Sequence, residues 1–394
     1  MNRLTTLTFA ALTIALPACA QQTFQHSGRN TDLQPAFAEQ FRAPLQSSGV
    51  QFDRQVLATG LDHPWGIALL PDGAGYLVTE RAGQMRHITR DGVMSDPIGG
   101  VPDVMARRQG GLLDVTLAPD FASTRQVYIT YAKPTGGGLS ATAAARGTLS
   151  ADMRQLGNVS DIFVQQPASS SPMHYGSRVL FDGAGHVYVT TGERFGDAAL
   201  AQDPAATYGK VIRVTRDGAV PADNPFAAAQ GVDPGVWSLG HRNIQGATIH
   251  DGDLWTIEHG PQGGDELNRI EPGKNYGWPI VTYGENYGGG PVGSGIAARE
   301  GFEQPVYFWD PVIAPGGMIS YSGALFPQWQ GDLIIASLYP GGLVRLSMTQ
   351  GRVSAEERMV MDLGRIRDVA SDSDGALLVV TDFDRGELIR LTPK

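Results

Sequence analysis

Residues 177–193 read Ser177-Arg178-Val179-Leu180-Phe181-Asp182-Gly183-Ala184-Gly185-His186-Val187-Tyr188-Val189-Thr190-Thr191-Gly192-Glu193. An alternating run meets Asp-Gly, and a second alternating run ends in polar residues. Asp-Gly between two period-2 segments predicts a β-hairpin, because the turn needs residues that tolerate a positive φ. The same arrangement recurs five times. Residues 66–70 lead through Pro71-Asp72-Gly73 to 76–81, and residues 112–117 lead through Pro119-Asp120-Phe121 to 127–131. Residues 247–250 lead through Asp251-Gly252 to 254–258. Residues 318–326 lead to Gln330-Gly331-Asp332 and 333–336, and residues 367–370 lead to Asp374-Gly375 and 377–382. After most copies a further strand follows, such as Met85-Arg86-His87-Ile88. Six copies of three or four strands predict an all-β fold, a six-bladed β-propeller with four-stranded antiparallel blades. The competing architectures are a pair of β-sandwiches or two barrels. Residues 51–59 form a spare strand able to complete the last blade and remove an open edge. The longest insertions fall around 132–173, 196–240 and 259–317, where loops at one end of a channel carry function.

Composition agrees. The 394 residues include 51 Gly and 25 Pro but only 18% charged residues, a turn-rich and low-helix text. Formal net charge is −10 without a long basic run, which argues against nucleic acid as a partner. Three segments are expected. Residues 1–20 read as an export signal, with Arg3, an apolar run and Ala18-Cys19-Ala20. Leu16-Pro17-Ala18-Cys19 also resembles a lipoprotein box, in which Cys19 would carry a lipid anchor. Residues 21–50 are polar and aperiodic, a flexible leader. Residues 51–394 form the propeller. The folded part is therefore expected outside the cytoplasm, periplasmic or anchored, as a monomer or homodimer.

Several motifs sit at strand entrances. His174 precedes a blade's first strand, and an imidazole there suits a general base near neutral pH. His87, His186 and His250 lie in strand or turn text and read as structural. Gln109 precedes Gly110-Gly111-Leu112-Leu113 and offers both a donor and an acceptor. Arg365 and Arg367 alternate onto one face of an extended segment, where two guanidiniums can clamp carboxylates. Gly240-His241-Arg242-Asn243 is followed by Glu258-His259-Gly260-Pro261-Gln262-Gly263-Gly264-Asp265-Glu266. That pairs a fixed cation with a loop offering carbonyls and carboxylates to a hard metal such as Ca²⁺. Asn275-Tyr276-Gly277-Trp278-Pro279 and Tyr283-Gly284-Glu285 extend the oxygen-rich stretch. The Gly288–Gly295 region lacks the strand-loop-helix context of a dinucleotide fingerprint.

Taken together over residues 52–394, these motifs resemble the soluble PQQ-dependent glucose/aldose sugar dehydrogenase family, closest to the bacterial periplasmic aldose sugar dehydrogenase branch. The marks are Thr79-Glu80-Arg81-Ala82-Gly83, Gln109-Gly-Gly-Leu-Leu, His174-Tyr-Gly-Ser-Arg, Gly240-His-Arg-Asn, His259-Gly-Pro-Gln-Gly-Gly-Asp-Glu, Asn275-Tyr-Gly-Trp-Pro and Arg365-Ile-Arg-Asp. The resemblance implies that His174 takes a proton from the anomeric hydroxyl while hydride passes from sugar C1 to the C5 carbon of PQQ. It implies PQQ contacts from Gln109, Arg242, Asn243, Arg365 and Arg367, with Arg242 near the reacting carbonyl. The carbonyls of Gly260 and Pro261 would hold a bridging Ca²⁺, and Asp265 would support the polar network. Glu266, Tyr276 and Glu285 match a second, structural calcium position, and Trp309 is a candidate pocket wall. The product would be a lactone, and a quinone, cytochrome or other acceptor would take the electrons. Met173 stands where the glucose dehydrogenase branch has Asp, and Tyr339 where it has a PQQ-contacting Lys. A calcium-dependent lactonase or hydrolase, or a non-catalytic binding propeller, are the alternatives on the same fold.

Overall fold

The structure is a computed structural model and describes residues 24–394. The expected export segment and Cys19 lie outside the described residues. Strand β1 (Phe52–Leu61) precedes the first blade, which holds β2 (Pro64–Leu70), β3 (Gly75–Glu80) and β4 (Gln84–Ile88). The second has β5 (Leu112–Leu117), β6 (Gln126–Gly136), β7 (Leu139–Leu149) and β8 (Leu156–Val164). The third has β9 (Gly176–Phe181), β10 (Val187–Thr191), β11 (Lys210–Val214) and β12 (Val236–Leu239). The fourth has β13 (Ile244–His250), β14 (Asp253–Glu258), β15 (Asp265–Ile270) and β16 (Tyr307–Trp309). The fifth has β17 (Pro315–Ser320), β18 (Leu333–Ser337), β19 (Leu343–Thr349) and β20 (Arg352–Met359). The sixth has β21 (Ile366–Ser371), β22 (Leu377–Thr381) and β23 (Gly386–Pro393). All pairings within blades are antiparallel, and the first strands touch their neighbours in cyclic order, β2 to β5, β9, β13, β17, β21 and back to β2. The fold is a six-bladed β-propeller. Its core lies in layers between successive blades, such as Leu77, Met85, Leu112 and Ile129 between the first two.

The ring closes as the spare strand predicts. β1 adds to β23, pairing Phe52 with Pro393 and Val56 with Ile389, so the last blade is completed by the first strand. The hairpin reading holds most closely at Asp251-Gly252. Both have positive φ (51° and 85°) and join His250 to Asp253 in a two-residue turn. In the first blade the fourth position is held by residues 93–98, which run antiparallel beside β4 through bonds from Thr89 N to Val93 O, Ser95 N to His87 O and Ile98 N to Met85 O. Two expectations need correction. The supposed insertions at 132–173, 196–240 and 259–317 contain the outer strands of their own blades, β7–β8, β11–β12 and β15–β16.

Residues 24–50 are packed rather than a loose leader. Phe41 stacks on Phe308 at 4.6 Å, and Tyr307 Oη accepts from the buried Ala43 N–H. Gln40 is fully buried and donates to Pro305 O. Bridges from Phe41 to Phe308 and from Leu45 to Glu356 extend the free edges of β16 and β20. An open edge is a template for any extended segment, and a polar, aperiodic text conceals that use.

Candidate active site

Every blade carries a register shift where its first strand leaves the rim, as at Ile244/Gly246, Ile366/Asp368 and Leu112/Val115. A bulge bends the strand and re-aims its side chains. Six of them in a ring turn the strand entrances toward one mouth. His174 enters through an acute turn of this kind, with φ of 49° at His174, 70° at Gly176 and 92° at Ser177. A Cβ on Gly176 would lie 2.5 Å from Thr191 C, so only glycine fits.

The His174 imidazole is almost fully buried. Its Nδ1 lies 3.1 Å from Glu193 Oε1, and the His174 backbone N–H donates to Gln109 Oε1 at 2.8 Å. Phe195 packs edge-on against the ring at 5.2 Å, and the Phe195 N–H donates to the other Glu193 oxygen. A carboxylate on Nδ1 fixes the tautomer and leaves the basic lone pair on Nε2. Burial lowers the His174 pKa; Glu193 opposes that, and the nearby Arg242 reinforces it. The ring is therefore neutral and able to accept a proton at pH 7. The acid that Met173 does not provide comes from Glu193.

Arg242 is buried, its backbone N–H held by Glu258 Oε2 at 2.6 Å and its Nη1 by His259 O at 3.1 Å. Its guanidinium lies 5.2 Å from the Trp278 ring centroid. Asn243 Oδ1 accepts from Gly176 N at 3.1 Å, tying the third blade to the fourth. Arg365 and Arg367 share one acceptor, as their common face predicts. Both donate to Asp382 Oδ2, at 2.7 and 2.9 Å, and His63 Nδ1 lies 3.0 Å from Oδ1. Burial alone would raise Asp382, but Arg367, Arg365 and His63 outweigh it and hold the carboxyl well below the usual range. Arg367 Nη1 also donates to Gln245 Oε1 at 3.0 Å.

Trp65, Arg81, Gln109, Asn243, Arg365 and Arg367 line a cavity of about 180 Å³, and His174 and Arg242 adjoin it through their chain neighbours Tyr175 and Asn243, which also line it. The Nε atoms of Arg242 and Arg367 are buried without a hydrogen-bond partner. Buried unpaired donors are rare and call for a partner. A planar acid with several carboxylates would supply acceptors for them and for the arginines at the wall. PQQ, with three carboxylates, fits that donor set. A second charge cluster packs against the cavity lining. Arg178 bonds Asp114 at 2.9 Å and Asp368 at 3.1 Å, with its guanidinium 4.3 Å from Trp65.

Next to this cavity, and sharing His259 and Ala314 with it, the Gly260–Asp265 loop lines a pocket with Tyr287 and Tyr339. Asp265 Oδ1 accepts from Gly260 N at 2.8 Å, and Oδ2 accepts from Ile313 N and Ala314 N at 2.8 and 2.7 Å. Burial pushes Asp265 up to about 7 against the pull of those three donors. With its oxygens taken by backbone, Asp265 staples the loop to residues 313–314. The carbonyls of Gly260 and Pro261 accept no hydrogen bond among the described residues, and a Cβ on Gly260 would lie 2.2 Å from Gly264 O. Two unspent carbonyls in a tight loop fit an oxygen-coordinated cation. His259 Nε2 lies 2.7 Å from Pro315 O, and burial with Arg242 and Arg367 nearby lowers its pKa to about 3. It is a fixed neutral ring.

The residues matched to a structural calcium are placed separately by protein contacts. Glu266 pairs across the ladder with Glu258, Tyr276 stacks on His241 at 4.7 Å, and Glu285 Oε1 accepts from Gln262 at 3.0 Å. Burial and the neighbouring Glu258 raise Glu266 well above the ordinary value. A buried carboxyl facing other carboxyls calls for a proton or a cation. Among the described residues no three His, Cys, Asp or Glu side chains cluster as a metal site, so carbonyl oxygens would have to complete any coordination.

Glu193, Trp65 and Gln245 are absent from the sequence-derived set. A signal for Glu193 was present. Four blades place a buried carboxylate at or just after the end of the second strand, Glu80, Glu193, Glu258 and Asp382. Each anchors a cation or imidazole at the rim: Arg86 on Glu80 at 2.7 Å, His174 on Glu193, His241 on Glu258 at 2.9 Å, and the arginine pair on Asp382. His87, His186 and His250 bond Ala74 O, Asp182 and Ser320 outside this rim, as structural groups.

Comparison with known proteins gives a consistent set. The family model described as glucose/sorbosone dehydrogenase matches residues 61–390. The aldose sugar dehydrogenase YliI of Escherichia coli is 42% identical over 345 residues, 86% of this chain and 92% of that protein. The apo crystal structure of the soluble aldose sugar dehydrogenase from Escherichia coli superposes with a TM-score of 0.84 at 42% identity, covering 87% of this chain and 100% of that one. A PQQ-bound aldose sugar dehydrogenase from Streptomyces coelicolor superposes with a TM-score of 0.71 at 30% identity, covering 88% and 100%.

Proposed function

The chain belongs to the glucose/sorbosone dehydrogenase family, and from that premise we propose that it is a PQQ- and Ca²⁺-dependent dehydrogenase oxidising aldose sugars at C1 to lactones. The observation that carries this reading is a buried neutral base, His174 on Glu193, at the same mouth as the unpaired Nε atoms of Arg242 and Arg367. PQQ, when bound, supplies the acceptor for the hydride that leaves the sugar. The chain does the rest. His174 Nε2 removes the proton of the anomeric hydroxyl, and Glu193 stabilises the imidazolium that forms. Gln109 fixes the His174 backbone. Arg365, Arg367, Gln109 and Asn243 hold the cofactor, and Arg242 sets positive charge where negative charge develops. Gly260 and Pro261 offer carbonyls to the Ca²⁺ beside it, and Asp265 keeps that loop in place. Glu266, Tyr276 and Glu285 are the proposed ligands of a structural Ca²⁺.

The paired arginines weigh against the calcium-dependent hydrolase, which has no use for a carboxylate clamp. The enzyme acts after export to the periplasm, with Cys19 a possible lipid attachment point, as a monomer or homodimer, and hands electrons to a quinone or cytochrome. The test is reconstitution of apo-protein with PQQ and Ca²⁺, following dye reduction with glucose, xylose and maltose in wild type and His174→Ala. Activity requiring both additions and lost in the variant is expected. No activity with any aldose, together with no PQQ-dependent absorbance change, overturns the reading.

A further inference from the structure

The N-terminal segment reaches the mouth of the active site. Residues 24–50 lie before residue 61, where the family match begins. Their first part is fastened to Asp310, whose side chain is fully buried. Asn30 and Thr31 donate their backbone N–H groups to its carboxylate at 2.9 and 3.0 Å, and Asn30 Nδ2 donates to it at 2.7 Å. Thr31 Oγ1 donates to Tyr283 O at 3.1 Å. Further along, the Gln40 bond to Pro305 O and the Phe41–Phe308 stack hold the chain down. The segment is a strap held at both ends of this stretch.

The anchor is shared with the proposed calcium loop. Asp310 begins residues 310–314, which Asp265 grips through Ile313 N and Ala314 N. Strap and loop meet at Gly263, where a Cβ would lie 2.8 Å from Asp310 Oδ1 and 3.4 Å from Asn30 Nδ2. Asn30 thus forms part of the wall of the Gly260–Asp265 pocket, a space of about 320 Å³. That volume suits a small-molecule site.

The orientation of the Asn30 amide follows from its partner. A carboxylate only accepts, so Nδ2 faces Asp310 and Oδ1 is turned away from it. Among the described residues Oδ1 has no partner, and it is not sealed inside the protein. It is an open acceptor on a pocket wall. The same wall carries Tyr287 and Tyr339, each 64% exposed. Tyr287 Oη accepts from Arg242 Nη2 at 3.4 Å, which joins this wall to the cation beside His174. Exposed aromatic faces attract C–H groups, and the Asn30 oxygen accepts from a hydroxyl. A sugar ring presents both, C–H on its faces and hydroxyls on its edge. We propose that Asn30 contacts the sugar, its Oδ1 accepting a hydrogen bond from a hydroxyl other than the anomeric one. A segment outside the propeller thereby sets part of the sugar specificity. The inference rests on the dehydrogenase reading given above and extends it.

The test compares sugars on the reconstituted protein. Glucose is set against the four glucoses that each lack one hydroxyl, at C2, C3, C4 or C6. Dye reduction gives kcat and KM, and absorbance titration of the apo-protein gives PQQ affinity. In wild type, the sugar lacking the Asn30 partner should lose about two- to tenfold in kcat/KM, the range of one neutral hydrogen bond. In Asn30→Ala glucose should lose a similar factor, and the penalty for that one deoxy sugar should vanish while the other three persist. PQQ affinity should not change. Asn30→Lys keeps a side-chain donor for Asp310 and lacks the acceptor, so it decides the matter if circular dichroism shows the alanine variant unfolded. Thr31→Val weakens the strap without touching the Asn30 amide and should keep the wild-type pattern. The inference is overturned if the folded Asn30 variants retain every deoxy penalty, if their defect lies in PQQ affinity, or if Thr31→Val reproduces their pattern. A wild type inactive with every aldose overturns the dehydrogenase reading itself, and the inference with it.

Discussion

The third and sixth blades use one position for opposite ends. In each, a carboxylate follows the second strand, Glu193 after β10 and Asp382 after β22, and in each it is nearly fully buried. On Glu193 sits an imidazole; on Asp382 sit two guanidiniums. An imidazole exchanges its proton near neutral pH, and a guanidinium never does. In the function proposed above, one scaffold position thus serves either proton transfer or anion binding according to the partner alone. The side chain that the blade supplies is a socket, and the rim residue decides the chemistry.

The comparison breaks most visibly at the proton. His174→Ala should lower kcat/KM by about 10²- to 10⁴-fold while PQQ titration by absorbance still reports binding. Loss of binding instead would move His174 to the clamp. On the other side, Asp382→Asn leaves Arg367 buried without its counter-charge and should cost about 3 kcal/mol of stability, read from the urea midpoint. The pH dependence carries a sign. Asp382 is held below its unfolded value, so its contribution is present above about pH 4 and is lost as pH falls through the folded value. Stability of the variant should therefore fall less steeply on acidification than that of the wild type.

A finer test lies at Glu193. Its charge raises the His174 pKa while burial and Arg242 lower it. Glu193→Gln removes the raising influence, so the acid limb of kcat/KM should move to lower pH, with kcat reduced about tenfold. A shift to higher pH would break the assigned linkage. The smallest effect is expected from Tyr339→Lys. Tyr339 is 64% exposed on the pocket of the Gly260 loop. A solvated cation there adds at most about 1 kcal/mol, a few-fold tighter PQQ reconstitution with an unchanged pH profile.

The sequence made the ring legible because six hairpins repeat and β1 stands outside them. Alternation and Asp-Gly turns are local properties, and the Asp251-Gly252 turn follows from them directly. Outer strands such as β7 and β12 pass for insertions because their partners are already counted and loop length alone separates them. The rim motifs around His174, Arg242, Gly260 and Arg365 fall together for the same local reason, as strand entrances that bulges turn one way. Glu193 was concealed by distance. It lies 19 residues from His174 and meets it only through the β9–β10 pairing. Residues 24–50 show the opposite limit. Nothing periodic announces a segment that borrows its order from the edges of β16 and β20.

The bond between β1 and β23 joins residues 52 and 393. A ribosome delivers the first of these strands more than three hundred residues before the second, a sequence separation that makes closure slow. Until then the sixth blade lacks its outer strand, and the arginine pair with Asp382 belongs to that blade. Closure of the ring therefore waits on the last strand to be made: a molecule cut short before β23 would leave β1 without a partner and the ring open at the blade that carries the arginine pair.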